Sequence, residues 1–216
     1  MPYRLMSPIG QGVHRRYPLV VFLHGAGERG TDNQQHIRSG TGAHELIRAA
    51  DHHTCFFLAP QCPPVDSWSG VAWDRLPYHM HTEPIRPMRV VLDLIGELCR
   101  SHPIDRSRIF ATGLSMGALG MWDMVMRAPG LFAAGIPICG GYDATHVDSI
   151  RDIPFWVFHG SADPSVPVEG SRTMVRALER VGGSVRYTEY EGAGHAIWAQ
   201  IYRNREVIDW LFCQSR

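Results

Sequence analysis

Residues 108–120 read Arg-Ile-Phe-Ala-Thr-Gly-Leu-Ser-Met-Gly-Ala-Leu-Gly, and no other stretch constrains the fold as tightly. The β-branched and aromatic run from Ile109 to Thr112 predicts a buried strand. Gly113-Leu114-Ser115-Met116-Gly117 follows, and helical spacing resumes at once. A G-x-S-x-G pattern between a strand and a helix sets its serine on a sharp turn, with the hydroxyl above the sheet edge. A side chain at either glycine would crowd that turn, which strains the residue between them. The helix entered after Ser115 aims N–H groups and its positive dipole end at charge developing beside the hydroxyl. With 22 glycines in the chain the pattern alone carries little weight. A serine nucleophile also needs a base, an acid and oxyanion donors, so the remaining segments must supply them.

Strand and helix patterns alternate along the chain. Tyr3 to Met6 predicts an edge strand, and Pro18 to Leu23 is a continuous apolar run of the kind found in a parallel strand covered on both faces. It leads into His24-Gly-Ala-Gly-Glu-Arg-Gly30. Helical spacing over Ala43 to Ala50 precedes a buried strand at Cys55 to Ala59. From Pro60 to about Thr82 stretches a Pro-, Trp- and His-rich loop, whose Trp68, Trp73 and Tyr78 argue that it is packed. Val90, Val91, Leu94, Ile95 and Leu98 mark a helix face. Further strands are predicted at Ala133–Cys139, Phe155–His159 and Val185–Tyr190, with helical faces at 174–181 and 207–212. The alternation predicts an α/β fold, a single domain over residues 1–216, with a mostly parallel sheet flanked by helices and no large lid domain.

The residues suited to hydrolytic chemistry all follow predicted strands, and in such sheets ligands bind beyond the strands' carboxyl ends. Ser115, Asp163 and His195 stand in the order Ser…Asp…His expected with this elbow, as nucleophile, acid and base. Asp143, also after a strand, is the second candidate for the acid. Met116, next after the nucleophile, and Ala26, in the first glycine-rich loop, are the expected oxyanion donors, with Gly25 and Gly27 as rivals. His24 and His159, at strand ends, are expected to organise loops. Trp68, Trp73, Tyr142 and Trp198 are candidate walls of a substrate pocket, against ordinary core packing.

Lys plus Arg and Asp plus Glu number 21 each, so no net field favours nucleic acid. No apolar run approaches the roughly 18 residues of a membrane span. The first residues lack the apolar core of a signal peptide, so a cytoplasmic location is expected. Five cysteines without ligand spacing predict neither a metal nor another cofactor. Oligomeric state is left open.

Several segments together resemble a known family. His24-Gly-Ala-Gly-Glu-Arg-Gly-Thr-Asp-Asn33, Ala59-Pro-Gln-Cys-Pro63, Gly113 to Gly117, Phe158-His-Gly-Ser-Ala-Asp163 and Gly192-Ala-Gly-His195 are similar to the α/β-hydrolase carboxylesterases. The nearest branch is the small bacterial phospholipase/carboxylesterase, dienelactone-hydrolase-like group of serine esterases. The resemblance implies Ser115 as nucleophile, His195 as base, Asp163 as acid, and Ala26 and Met116 as oxyanion donors. It also implies a cofactor-independent carboxylesterase that passes through an acyl-enzyme and takes a small ester, expected to be short-chain or aromatic. A serine peptidase or amidase of the same fold, or a non-catalytic hydrolase-fold binding protein, are the alternatives. Ala118 and Ala196 depart from the Gly and Asp common in relatives, and the second alters the surroundings of the base.

Overall fold

Strands β1 (Tyr3–Met6), β2 (Tyr17–Leu23), β3 (Phe56–Pro60), β4 (Ile104–Leu114), β5 (Ala134–Ile138), β6 (Phe155–Gly160) and β7 (Val185–Tyr190) form one sheet in the order β1-β3-β2-β4-β5-β6-β7. This is a computed structural model that describes residues 1–9, 12 and 15–216, Asp51 by its backbone alone. β1 pairs antiparallel with β3, from Tyr3 opposite Pro60 to Met6 opposite Phe57, and every other pairing is parallel. All residues of β2, β3, β5 and β6 are buried, which is why the sequence there runs apolar without alternating. The mostly exposed β1 and the half-buried β7 close the two edges.

Helices α1 (Gly42–Ala49), α2 (Arg86–Ser101), α3 (Met116–Arg127), α4 (Val168–Arg180), α5 (Trp198–Arg203) and α6 (Arg205–Phe212) cover both faces. Successive strand residues point to opposite sides, so each strand serves two cores. Leu19, Val21 and Leu23 pack with Met88, Val91, Trp122 and Met174 beneath α2, α3 and α4. Val20 and Phe22 pack with Leu46, Ile201, Val207 and Leu211 beneath α1, α5 and α6. No described helix is long and apolar enough to cross a membrane.

The expected strands are all present, with ends that differ by no more than one residue except in β4. β4 starts at Ile104, ahead of the apolar run, because Ile104 pairs with Tyr17 across a register shift in β2. The six-residue α5 and the 3-10 turn Ala144–Ile150 are too short to carry a clear period, and the sequence does not announce them. Residues 61–85 contain neither helix nor strand, yet they are tied down. Trp68 is fully buried, Met80 N–H donates to Asp143 Oδ2 at 2.9 Å, and Arg127 donates to His81 O at 2.7 Å.

In the sheet β2 lies between β3 and β4, so the chain leaves β2 toward one edge and leaves β4 toward the other. The loops after β2 and β4 therefore diverge from adjacent strands and leave a crevice between them.

Candidate active site

Ser115 occupies the turn between β4 and α3 with φ +56° and ψ −127°, a conformation that costs free energy for any residue other than glycine. The turn is over-determined by its surroundings. Ser115 N–H donates to Ile138 O at 2.9 Å, while Ser115 O accepts from Ala118 N–H at 2.8 Å. A Cβ at Gly113 would lie 2.3 Å from Gly117 O, and one at Gly117 would lie 2.0 Å from Leu23 O. Only hydrogen at both positions lets β4, α3 and the end of β2 approach this closely.

The Ser115 hydroxyl, on a residue only 8% exposed, lies 2.9 Å from His195 Nε2. His195, in the loop after β7, donates through Nδ1–H to Asp163 Oδ2 at 2.6 Å. Asp163 follows β6 and is fixed from every side. Its Oδ1 accepts from Ser165 N–H at 2.8 Å and Val166 N–H at 3.0 Å. Its Oδ2 also accepts from His159 Nε2–H at 3.1 Å, and the other nitrogen of that ring accepts from the Ser171 hydroxyl at 2.7 Å. Burial pushes the carboxyl's pKa up, but the hydrogen bonds from His159, His195, Val166 and Ser165 together outweigh it and hold Asp163 well below the usual carboxylate range. Asp163 is therefore the ionised partner of His195. Asp143 instead caps the turn that follows it, accepting from Thr145 N–H at 3.0 Å, and anchors Met80.

The loop after β2 is held by groups the motif does not advertise. His24 is fully buried. Its Nδ1–H donates to Gly25 O at 2.7 Å, and its Nε2 accepts from Cys62 N–H at 2.9 Å. Burial drives its pKa down to about 3, so the ring is neutral. The Trp68 indole donates to His24 O at 2.9 Å, and Gln61 Nε2 donates to Asp32 Oδ1 at 2.8 Å. Segments 24–33 and 59–63 thus form one scaffold. Glu28 carboxylate accepts from Gly25 N–H at 2.7 Å, which removes Gly25 from the possible oxyanion donors. Among the described residues, the N–H groups of Ala26, Gly27 and Met116 have no acceptor.

The aromatic residues divide. Trp68 (0% exposed) and Tyr142 (3%) are core residues rather than pocket walls. The Tyr142 hydroxyl donates to the buried Asp123 at 2.8 Å. Trp73 is half-buried below the Arg29 guanidinium, 5.9 Å from the ring centroid. Trp198 is half-buried, edge-on to the His195 ring at 5.6 Å. A cavity of about 860 Å³ adjoins His195 and is lined by Ala196, Ala199, Gln200 and Arg203. Arg203 is fixed by a two-point pairing with Glu45 of α1, at 2.7 and 3.0 Å.

Cys139 was not visible as a neighbour of this site. It follows β5 at φ +54°, and its thiol donates to His195 O at 3.3 Å. Its Sγ, with one ligand atom each of Asp163 and His195, falls in a cluster within 4.8 Å. Burial pushes the thiol's pKa up, so it stays protonated and is a poor metal ligand as it stands.

Known proteins resemble this chain in sequence and fold. A curated rice protein (Oryza sativa subsp. japonica), a probable carboxylesterase, is 23% identical over 209 residues, covering 88% of this chain and 86% of its own. A second rice protein, a probable inactive carboxylesterase, is 24% identical over 201 residues, covering 84% and 79%. The crystal structure of a thermostable esterase superposes with a TM-score of 0.91 at 49% identity over 99% of this chain, which spans only 59% of that structure's chain. The family model of phospholipases and carboxylesterases matches residues 79–206, more than half of the sequence. Together with the seven-stranded sheet, that match makes this chain a member of the phospholipase/carboxylesterase family of α/β hydrolases.

Proposed function

We propose that the protein is a serine carboxylesterase acting on small esters with short-chain or aromatic acyl groups. One observation carries this reading: Ser115, His195 and Asp163 are joined by hydrogen bonds of 2.9 and 2.6 Å at the strand ends, while among the described residues the N–H groups of Met116, next after Ser115, and of Ala26, in the loop after β2, have no acceptor. His195 Nε2 takes the Ser115 proton as Oγ attacks the ester carbonyl. The oxyanion that forms is bound by Met116 N–H at the start of α3 and by Ala26 N–H. Collapse expels the alcohol, which receives its proton from His195, and leaves an acyl-serine. Water, deprotonated by His195, then releases the acid. Asp163 keeps the proton of the resting imidazole on Nδ1 and stabilises the imidazolium in each half-reaction.

The preference for small esters is supported by the packed loop 61–85, which is pinned to α3 and to Asp143. An activity screen of p-nitrophenyl esters from acetate to palmitate, run beside aminoacyl amides, tests the reading. Short esters should be hydrolysed with the highest kcat/KM, and a fluorophosphonate probe should label the protein at Ser115 alone. Labelling that survives Ser115→Ala would remove the proposed nucleophile, and faster turnover of the amides would assign a peptidase or amidase instead.

A further inference from the structure

A second cavity, of about 960 Å³, lies on the opposite rim of the sheet, where β2 and β4 begin and α2 ends. The seven residues of β2, roughly 20 Å of strand, separate it from the rim that carries Ser115. Four arginines line it, Arg15, Arg16, Arg100 and Arg106. Ser101 and His102 also line it, but the Ser101 hydroxyl already donates to Glu97 O at 2.9 Å and lies 2.9 Å from His102 Nδ1.

Its one carboxylate is Asp105, whose Oδ1 already accepts from Ser107 N–H at 3.0 Å and Ser107 O–H at 2.6 Å. The lining therefore has four formal positive charges against one negative, in a chain whose overall formal charge is zero. Every arginine–carboxylate ion pair among the described residues lies elsewhere, on Arg38, Arg75, Arg127, Arg151 or the arginines from Arg172 onwards. Like charges gathered without counter-charge repel one another, and an anion in their midst reverses the sign of that energy.

The guanidiniums are partly preorganised. Arg16 Nη1 donates to Ile104 O at 3.3 Å, and Arg106 Nη2 donates to Cys99 O at 3.1 Å. Arg15 lies over the Tyr17 ring, 5.2 Å from its centroid. Each contact fixes the plane of a guanidinium and leaves further N–H groups unused. Planar forks of this kind match phosphate oxygens two at a time.

We propose that this cavity is an anion site for a phosphate compound with two or more linked phosphoryl groups. One phosphate brings about two negative charges, fewer than the net three positive charges of the lining, whereas a chain of phosphates brings more. The same chemistry is presented by free polyphosphate and by a nucleoside triphosphate, which carries a sugar and base besides.

Titration calorimetry of the whole chain with tripolyphosphate, ATP and orthophosphate, at low and at physiological salt, tests the site. Tripolyphosphate should bind saturably, at least about tenfold tighter than orthophosphate, and should weaken as salt rises. Arg15→Ala/Arg100→Ala removes two exposed guanidiniums that make no main-chain hydrogen bond among the described residues, and should weaken binding by at least about tenfold with the melting temperature unchanged. Arg16→Lys/Arg106→Lys keeps the charge but loses the forks, and should weaken it by less. Arg205→Ala, on α6, should leave it unaltered. Tighter binding of ATP than of tripolyphosphate assigns a nucleotide, and equal binding assigns the phosphate chain alone. The proposal is overturned if tripolyphosphate shows no saturable binding, if Arg15→Ala/Arg100→Ala binds it like the parent, or if orthophosphate binds as tightly.

Discussion

Asp163→Asn separates the role of the carboxylate from that of its shape. The two oxygens of Asp163 have different partners. Oδ1 accepts two backbone N–H groups, from Ser165 and Val166, and Oδ2 accepts ring N–H groups from His195 and His159. An asparagine keeps its carbonyl oxygen toward the backbone pair, because the reverse orientation would aim its NH2 at two donors. The NH2 then faces both imidazoles, and each must present a lone pair in place of its N–H. His159 adapts, since Ser171 can rotate its hydroxyl and accept from Nδ1–H. His195 cannot do so productively. Its proton moves to Nε2, 2.9 Å from Ser115 Oγ, and no base remains for the nucleophile. The expected loss in kcat is about 10⁴-fold, or about 5 kcal/mol of transition-state stabilisation. Butyrate ester hydrolysis, with circular dichroism to establish that the fold persists, measures it. A loss below about tenfold, or an equal loss in Asp143→Asn, refutes the assignment of Asp163 as the partner of His195.

Three further outcomes are expected. Burial, only partly offset by the Gly25 N–H bond, raises Glu28 from 4.5 to about 7, so its contribution to stability is full below about pH 4.5 and is lost as pH rises through 7. Glu28→Gln keeps an acceptor for Gly25 but does not titrate, so it should gain on the parent by up to about 3 kcal/mol between pH 4.5 and 8; a constant difference in denaturant midpoint over that range would show the group is not perturbed. His159→Leu removes one of the four donors to Asp163 and should lower kcat about tenfold with KM little changed, whereas a rise in KM alone would place His159 outside the relay. Trp68→Ala empties a fully buried site and deletes the donor to His24 O, so urea unfolding should show a loss of about 3–5 kcal/mol, against less than about 1 kcal/mol if the indole were a surface wall.

The sequence by itself determined the α/β class, the strands and the candidate triad. Those signals are local. Uninterrupted apolar runs at Pro18–Leu23 and Phe155–Phe158 identify strands buried on both faces, and position after a strand, together with the G-x-S-x-G elbow and the order Ser…Asp…His, made Ser115, Asp163 and His195 the leading candidates over Asp143, His24 and His159. Which way a side chain points from an irregular segment has no period to read. Pocket wall and core thus remained open for Trp68 and Tyr142 until packing against His24 and Asp123 decided them. The second histidine on Asp163, the thiol under His195 and the stitching of residues 24–33 to 59–63 depend on groups brought together from different strand ends. The arginine cavity has the same origin. Arg15 and Arg16 approach Arg100 and Arg106 because β2 pairs with β4, bringing together segments more than eighty residues apart in sequence. Local pattern sets which segments become strands and helices, but only the parallel pairing of remote strands sets which side chains meet at the two rims.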